Sequence, residues 1–140
     1  MNNANVVSFP PASESPNLNR KLLNRWGNHE SIFTDGWLGV PDAFLRHYSN
    51  LQPYGITAGE AMFILHLMSF KWSEQAPYPS YKTLAKRMGV TDKMVRRYAA
   101  GLEDKGYLKR ESRIGSTNTF DLTPLFALLD QAVQSARKTA

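Results

Sequence analysis

The sequence contains no cysteine in its 140 residues. Disulfides, thiolate nucleophiles, cysteine-based zinc sites and iron–sulfur clusters are excluded together, and the usage fits a reducing cytoplasm. Long apolar runs are also missing. A run such as Ala61 to Leu65, which none exceeds, falls far short of the roughly 20 residues that a spanning helix needs, so no membrane partner is expected. Met1 to Pro16 has no basic segment followed by an apolar one, and no secretory leader is expected. There is no phosphate-binding glycine loop and no GxSxG elbow. His29, His47 and His66 are scattered, without a ligand spacing such as HExxH, so neither a metal nor a cofactor is expected. Without clustered acids or histidines, an enzyme is not the expected reading.

Acidic residues are scarce as well. Seventeen Lys and Arg stand against twelve Asp and Glu, a net +5. The excess is not spread evenly. Between Ser80 and Asn118 ten basic residues face four acidic ones, a net +6, which leaves −1 for everything else. A positive charge confined to one segment is what a surface for a phosphate backbone requires. A solvated basic face is the alternative. The 42% hydrophobic and 11% aromatic content is enough for a packed core, and the length fits one domain with a short extension.

Met1 to Asp35 is polar, and Pro10, Pro11 and Pro16 oppose helix there. It reads as a flexible tail, with a short basic helix over Leu18 to Trp26 as one option. Gly36 to Thr123 reads as the folded domain. Trp37 to Val40 is extended, Pro41 suits the first position of a helix, and Phe44, Leu45, Tyr48 and Leu51 follow at helical spacing up to Pro53. Thr57 and Glu60 form a capping box. The helix behind it carries Ala61, Met62, Ile64, Leu65, Leu67, Met68 and Trp72, and is expected to be the core helix. Gln75 to Pro79 must be loop.

Ser80 then caps a helix to Met88, Gly89 suits the left-handed residue that ends it, and Thr91 caps a second helix from Asp92. Val95, Tyr98, Ala99 and Leu102 line one face of that helix, and Gly106 closes it. Two short helices joined by Gly-Val-Thr predict a helix-turn-helix, the second with long polar residues at its start, as a recognition helix needs. Tyr107 to Ser112 and Thr117 to Leu122 read as strands around a turn at Arg113 to Ser116. A basic hairpin directly after a recognition helix is a wing, whose tip can lie on phosphate or in the minor groove.

Over roughly Gly36 to Leu129 the chain resembles the winged helix-turn-helix superfamily. The resemblance rests on Tyr78-Pro79-Ser80, on Leu84 through Thr91, on Val95-Arg96-Arg97, and on Leu102 through Leu108. Asn118 through Leu125 is similar to the wing exit of plasmid, phage and mobile-element members. The front half is similar to N-terminal domains of plasmid replication initiators. Met94 stands where the family usually has Thr. The resemblance implies a mostly helical fold with a small β-hairpin wing and an extra C-terminal helix. It also implies double-stranded DNA as partner, bound as a homodimer in a bacterial cytoplasm, on the nucleoid or a plasmid. The role is transcription regulation, or marking a replication origin together with replication proteins. A winged helix that binds only protein is the remaining alternative.

Lys93, Met94, Arg96 and Arg97 are the candidates for the major groove. Asp92 is read as a helix-dipole residue, and so is Lys105 at the other end. Ser80, Tyr81 and Lys82 are candidates for phosphate. Lys109, Arg110, Arg113, Ser116, Thr117 and Asn118 are the wing candidates, with Arg113 foremost for the minor groove. Residues 124–140 form a last amphipathic helix. Its stripe of Leu125, Leu128, Leu129, Ala132, Val133 and Ala136 either packs on its own domain or pairs with a second copy, and pairing is the expectation.

Overall fold

A computed structural model describes residues 25–71 and 75–139. The chain divides after Gly39. Before that point a 3-10 turn, Glu30–Phe33, is the regular element of the described residues. The helix expected over Leu18 to Trp26 lies almost wholly outside them, and so does Trp72.

In the second unit, helix α1 (Asp42–His47) starts one residue later than expected, with Pro41 as its N-cap. It is also shorter than the apolar spacing predicts. A 3-10 turn, Tyr48–Asn50, follows, and Leu51 is already extended. Pro53 restricts only Gln52, so the helix has already ended before the proline acts; the Ile56 N–H instead takes Tyr48 O at 2.8 Å. Phe44 is fully buried and stacks on Tyr48 at 5.5 Å, whereas Leu45 is exposed.

Helix α2 (Ala58–Ser69) carries the expected capping box. The Thr57 hydroxyl accepts from the Glu60 N–H at 3.2 Å, and the Thr57 N–H donates back to Glu60 Oε1 at 2.9 Å. It is the core helix, but its buried set is Ala61, Phe63, Ile64 and Leu67 with Glu60; Met62 faces solvent. Helix α3 (Tyr81–Met88) and helix α4 (Asp92–Asp104) pack on α2 and on each other, burying Leu84, Ala85, Val95, Ala99 and Leu102. Ser80 Oγ accepts from the Thr83 N–H at 3.0 Å, and Thr91 Oγ1 from the Met94 N–H at 3.1 Å. The turn between them depends on Gly89 at φ +68°. A Cβ there would meet no atom within 4 Å, so only backbone strain opposes a side chain. Gly89→Ala is therefore expected to lower stability by about 1–2 kcal/mol, read as a shift in the denaturant midpoint at unchanged slope.

Strands β1 (Lys109–Glu111) and β2 (Thr119–Asp121) pair antiparallel, with Arg110 opposite Phe120. Both are shorter than expected; Tyr107, Leu108 and Leu122 beside them turn into the core. Tyr107 is fully buried, with its N–H on Leu102 O at 2.9 Å and its hydroxyl donating to Tyr54 O. The proline-rich loop is more than a connector: the Phe120 N–H donates to Pro77 O at 2.8 Å. Helix α5 (Thr123–Thr139) begins where Asp121 Oδ1 accepts the Thr123 N–H at 2.9 Å, and it packs on α1. The architecture is thus mostly helical, with a two-stranded wing and an added C-terminal helix.

Packing on α1 corrects the dimer expectation for part of the α5 stripe. Leu125 and Leu129 are 0% and 4% exposed, inside this domain's own core, and are not available to a second chain. Leu128 and Ala132 are half-buried against that core, Val133 is half-buried, and Ala136 is exposed.

His66, on α2, has its pKa lowered by burial and then by the nearby Arg87 charge. Below about pH 6.5 the unfolded chain therefore binds more protons than the folded one. Stability rises with pH through that window and is lost on acidification. His66→Gln is expected to flatten the pH dependence of the unfolding temperature in that range.

Candidate nucleic-acid interface

The N-termini of α3 and α4 and the entry to β2 enclose a cleft of about 320 Å³. Ser80, Tyr81, Lys82, Asp92, Arg96, Ser116, Thr117 and Asn118 line it. The two capped helices bring the first three and the next two to the same place, and the hairpin closes the side. Most of the polar residues singled out in the sequence therefore meet at one surface.

They do not all stand ready in the same way. Lys93, Arg96 and Arg97 are exposed on α4, away from the buried Val95 and Ala99 face, and Met94 is 36% exposed at one edge. Lys82 and Lys109 are also exposed. Among the described residues, Lys82, Lys93, Arg97 and Lys109 make no ion pair. Arg96 lies with its guanidinium carbon 4.7 Å from the centre of the Tyr81 ring.

Arg110 is engaged inside the protein. Its Nη2 donates to Glu103 Oε1 at 2.6 Å and its Nη1 to the Tyr81 hydroxyl at 2.6 Å. The bond to Glu103, before all else, drives its pKa further upward, and the same bond holds the Glu103 carboxyl below the usual range. The Tyr81 hydroxyl also accepts from Asn118 Nδ2 at 3.3 Å. Ser80 Oγ is taken up by Thr83, as an N-cap.

Arg113 folds back across the wing turn. Its Nε donates to Thr117 O at 2.8 Å, its Nη2 to Ser116 Oγ at 2.9 Å, and its guanidinium sits 4.6 Å from the Tyr78 ring centre. Thr117 Oγ1 donates to Tyr78 O. The residue that leaves the wing is Ile114, fully exposed at its tip. Lys105 does more than complement a dipole. It reaches Glu60 Oε1 at 2.6 Å and Gly55 O at 3.0 Å.

Sequence reasoning passed over Tyr78, Glu103 and Phe120 as site residues. Tyr78 had a signal, an aromatic ring between two prolines in a loop that must border the hairpin. Glu103 had none, since pairing with Arg110 depends on how the strand leaves α4. Among the described residues no group of three or more His, Asp and Glu could hold a metal ion, and no helix is long and apolar enough to cross a membrane.

A protein-family model described as "Helix-turn-helix domain" matches residues 54–108. The match begins ahead of α2 and ends before β1, so the hairpin and α5 lie beyond it. A solved structure, the crystal structure of transcriptional regulator PA3341, is similar at 23% identity over 70% of this chain and 69% of that one, with a TM-score of 0.40. No curated protein matches the sequence. Residues 54–108 are thus similar to a helix-turn-helix family, and a two-stranded hairpin and a C-terminal helix follow them in this chain.

Proposed function

We propose that this protein binds double-stranded DNA sequence-specifically and acts as a transcriptional regulator, without chemistry of its own. The observation that carries the reading is the set of exposed cations Lys82, Lys93, Arg97 and Lys109 around the α3–α4 turn and the hairpin, which make no ion pair among the described residues. Lys82 and Lys109 would hold phosphates and set the register. Helix α4 would enter the major groove, with Lys93 and Arg97 on base edges and Arg96 and Met94 at the flanks. Ser116, Thr117 and Asn118 would meet the backbone beside the cleft, and the wing would lie along the adjacent minor groove. Arg110 acts by holding the wing to α4. Arg113 would reach the groove only by leaving Tyr78.

A homodimer on a pseudo-palindromic site completes the proposal. The outer edge of α5, with Leu128, Ala132 and Ala136, borders a groove of about 400 Å³ that also includes His47 and Leu51, and Val133 is half-buried beside it. This edge remains for a second copy once Leu125 and Leu129 are inside.

The test separates reading from positioning. Arg97→Ala is expected to weaken the specific site by about 1–3 kcal/mol and to relax preference at one position. Lys82→Ala should weaken all sequences alike and reduce the salt slope by about 1. A folded Arg97→Ala protein with unchanged site affinity contradicts the base contact. Footprints over direct repeats rather than a palindrome would move the role from regulation to marking a replication origin.

A further inference from the structure

Helix α4 and the hairpin are separate elements, yet both must meet one duplex. Tyr81 touches both. It is the first residue of α3 and half-buried. Its ring packs edge-on against Phe120 of β2 at 5.7 Å and 75°. The outer ring face carries Arg96 of α4 at 4.7 Å. Its hydroxyl accepts from Arg110 of β1 at 2.6 Å and from Asn118, just before β2, at 3.3 Å. Arg110 in turn donates to Glu103, near the end of α4, at 2.6 Å.

We propose that Tyr81 is a positioning residue that joins α4 to the wing, so that base reading and wing contact occur as one event. This rests on the DNA-binding reading above. The chemistry of the side chain suits the task. An aromatic ring holds a guanidinium without neutralising it, so Arg96 keeps its full charge while losing rotamer freedom. A hydroxyl with two acceptor lone pairs takes one donor from each side of the hairpin. A phenyl ring would hold Arg96 and release the hairpin. An aliphatic side chain would release both. Tyr81 therefore acts through Arg96 and Asn118, and a direct phosphate contact by its hydroxyl is the competing role.

The experiment uses the full chain and Tyr81→Phe, which keeps the ring packing on Phe120. In the free protein, amide hydrogen exchange should be faster across Lys109–Glu111 and Thr119–Asp121, with the thermal midpoint close to that of the parent. On duplex DNA, the Arg96→Ala and Asn118→Ala effects on Kd should be non-additive in the parent and additive in the Tyr81→Phe background. Tyr81→Phe alone should weaken binding about 3–10-fold without changing the salt slope. Tyr81→Leu should weaken it further. Unchanged hairpin exchange in Tyr81→Phe overturns the joint even if DNA binding is intact. Faster exchange with Arg96–Asn118 coupling unchanged assigns the hydroxyl to direct contact and overturns the positioning role. A parent protein that binds no duplex overturns the DNA-binding reading instead, while hydrogen exchange still reports on the joint.

Discussion

Phe120→Ala is expected to lower stability by about 3–5 kcal/mol, a large share of the roughly 5–15 kcal/mol a domain has. Phe120 is 1% exposed and sits where three parts of the fold meet. It packs edge-on against Phe63 of the core helix at 6.1 Å and against Tyr81 at 5.7 Å. Its backbone N–H holds the Pro77 loop, and that bond survives truncation. The loss is therefore one of packing: a cavity between α2 and the hairpin, bordered by stiff aromatic rings that collapse poorly. Phe120→Leu should cost less, because more of the volume remains. Urea denaturation of both variants checks the order. A change of less than about 1 kcal/mol for Phe120→Ala would place the residue outside the core.

Lys105→Ala should cost about 3 kcal/mol, the lower end of the range for breaking a buried ion pair from one side. Glu60 is only 6% exposed, and its Oε1 accepts from both the Thr57 N–H and Lys105. Removing the ammonium leaves a buried carboxylate with the Thr57 N–H as its donor among the described residues. The site offers no room to adjust. A Cβ on Gly101 of α4 would stand 2.5 Å from Glu60 Oε2, so α4 passes against the carboxylate itself. The pair thus locks the end of α4 to the start of α2. Neutralising both ends tests the assignment: Glu60→Gln with Lys105→Met should recover most of the loss, because the amide oxygen still accepts from Thr57 and no charge is stranded. A double variant no more stable than Lys105→Ala would contradict it.

The sequence was most readable where local chemistry decides the backbone. Thr57 with Glu60, Ser80, Gly89 and Thr91 each act through bonds to residues three or four positions away, and the structure has all four as expected. The buried face of α4 was readable for a related reason, since Val95, Ala99 and Leu102 recur at helical spacing. Less was readable where distant segments compete for the same residue. Phe63 rather than Met62 is buried in α2, on the side where Phe120 of the hairpin packs. Leu125 and Leu129 have the spacing of a dimer stripe, but the chain's own core takes them up.

The wing shows the limit most clearly. Arg110 and Arg113 look like groove residues because a basic hairpin follows a recognition helix. No periodicity reports that Glu103 and Tyr81 hold the first, or that Tyr78, Ser116 and Thr117 hold the second. Charge counting gives a total, whereas the interface depends on which charges remain unpaired. The net +6 of the segment already counts Glu103 against Arg110, but it leaves out Glu60, which lies outside the segment and pairs with Lys105.

The most direct measurement is a binding titration at several salt concentrations, with random duplex and with duplex from around the protein's own gene. The account predicts that affinity falls steeply with salt for both, because several lysine and arginine contacts each release counterions. It also predicts tighter binding to the native DNA, with the difference reduced by Arg97→Ala and kept by Lys82→Ala. Absence of binding to either duplex at low salt would contradict it, and would assign the basic surface to an acidic protein partner.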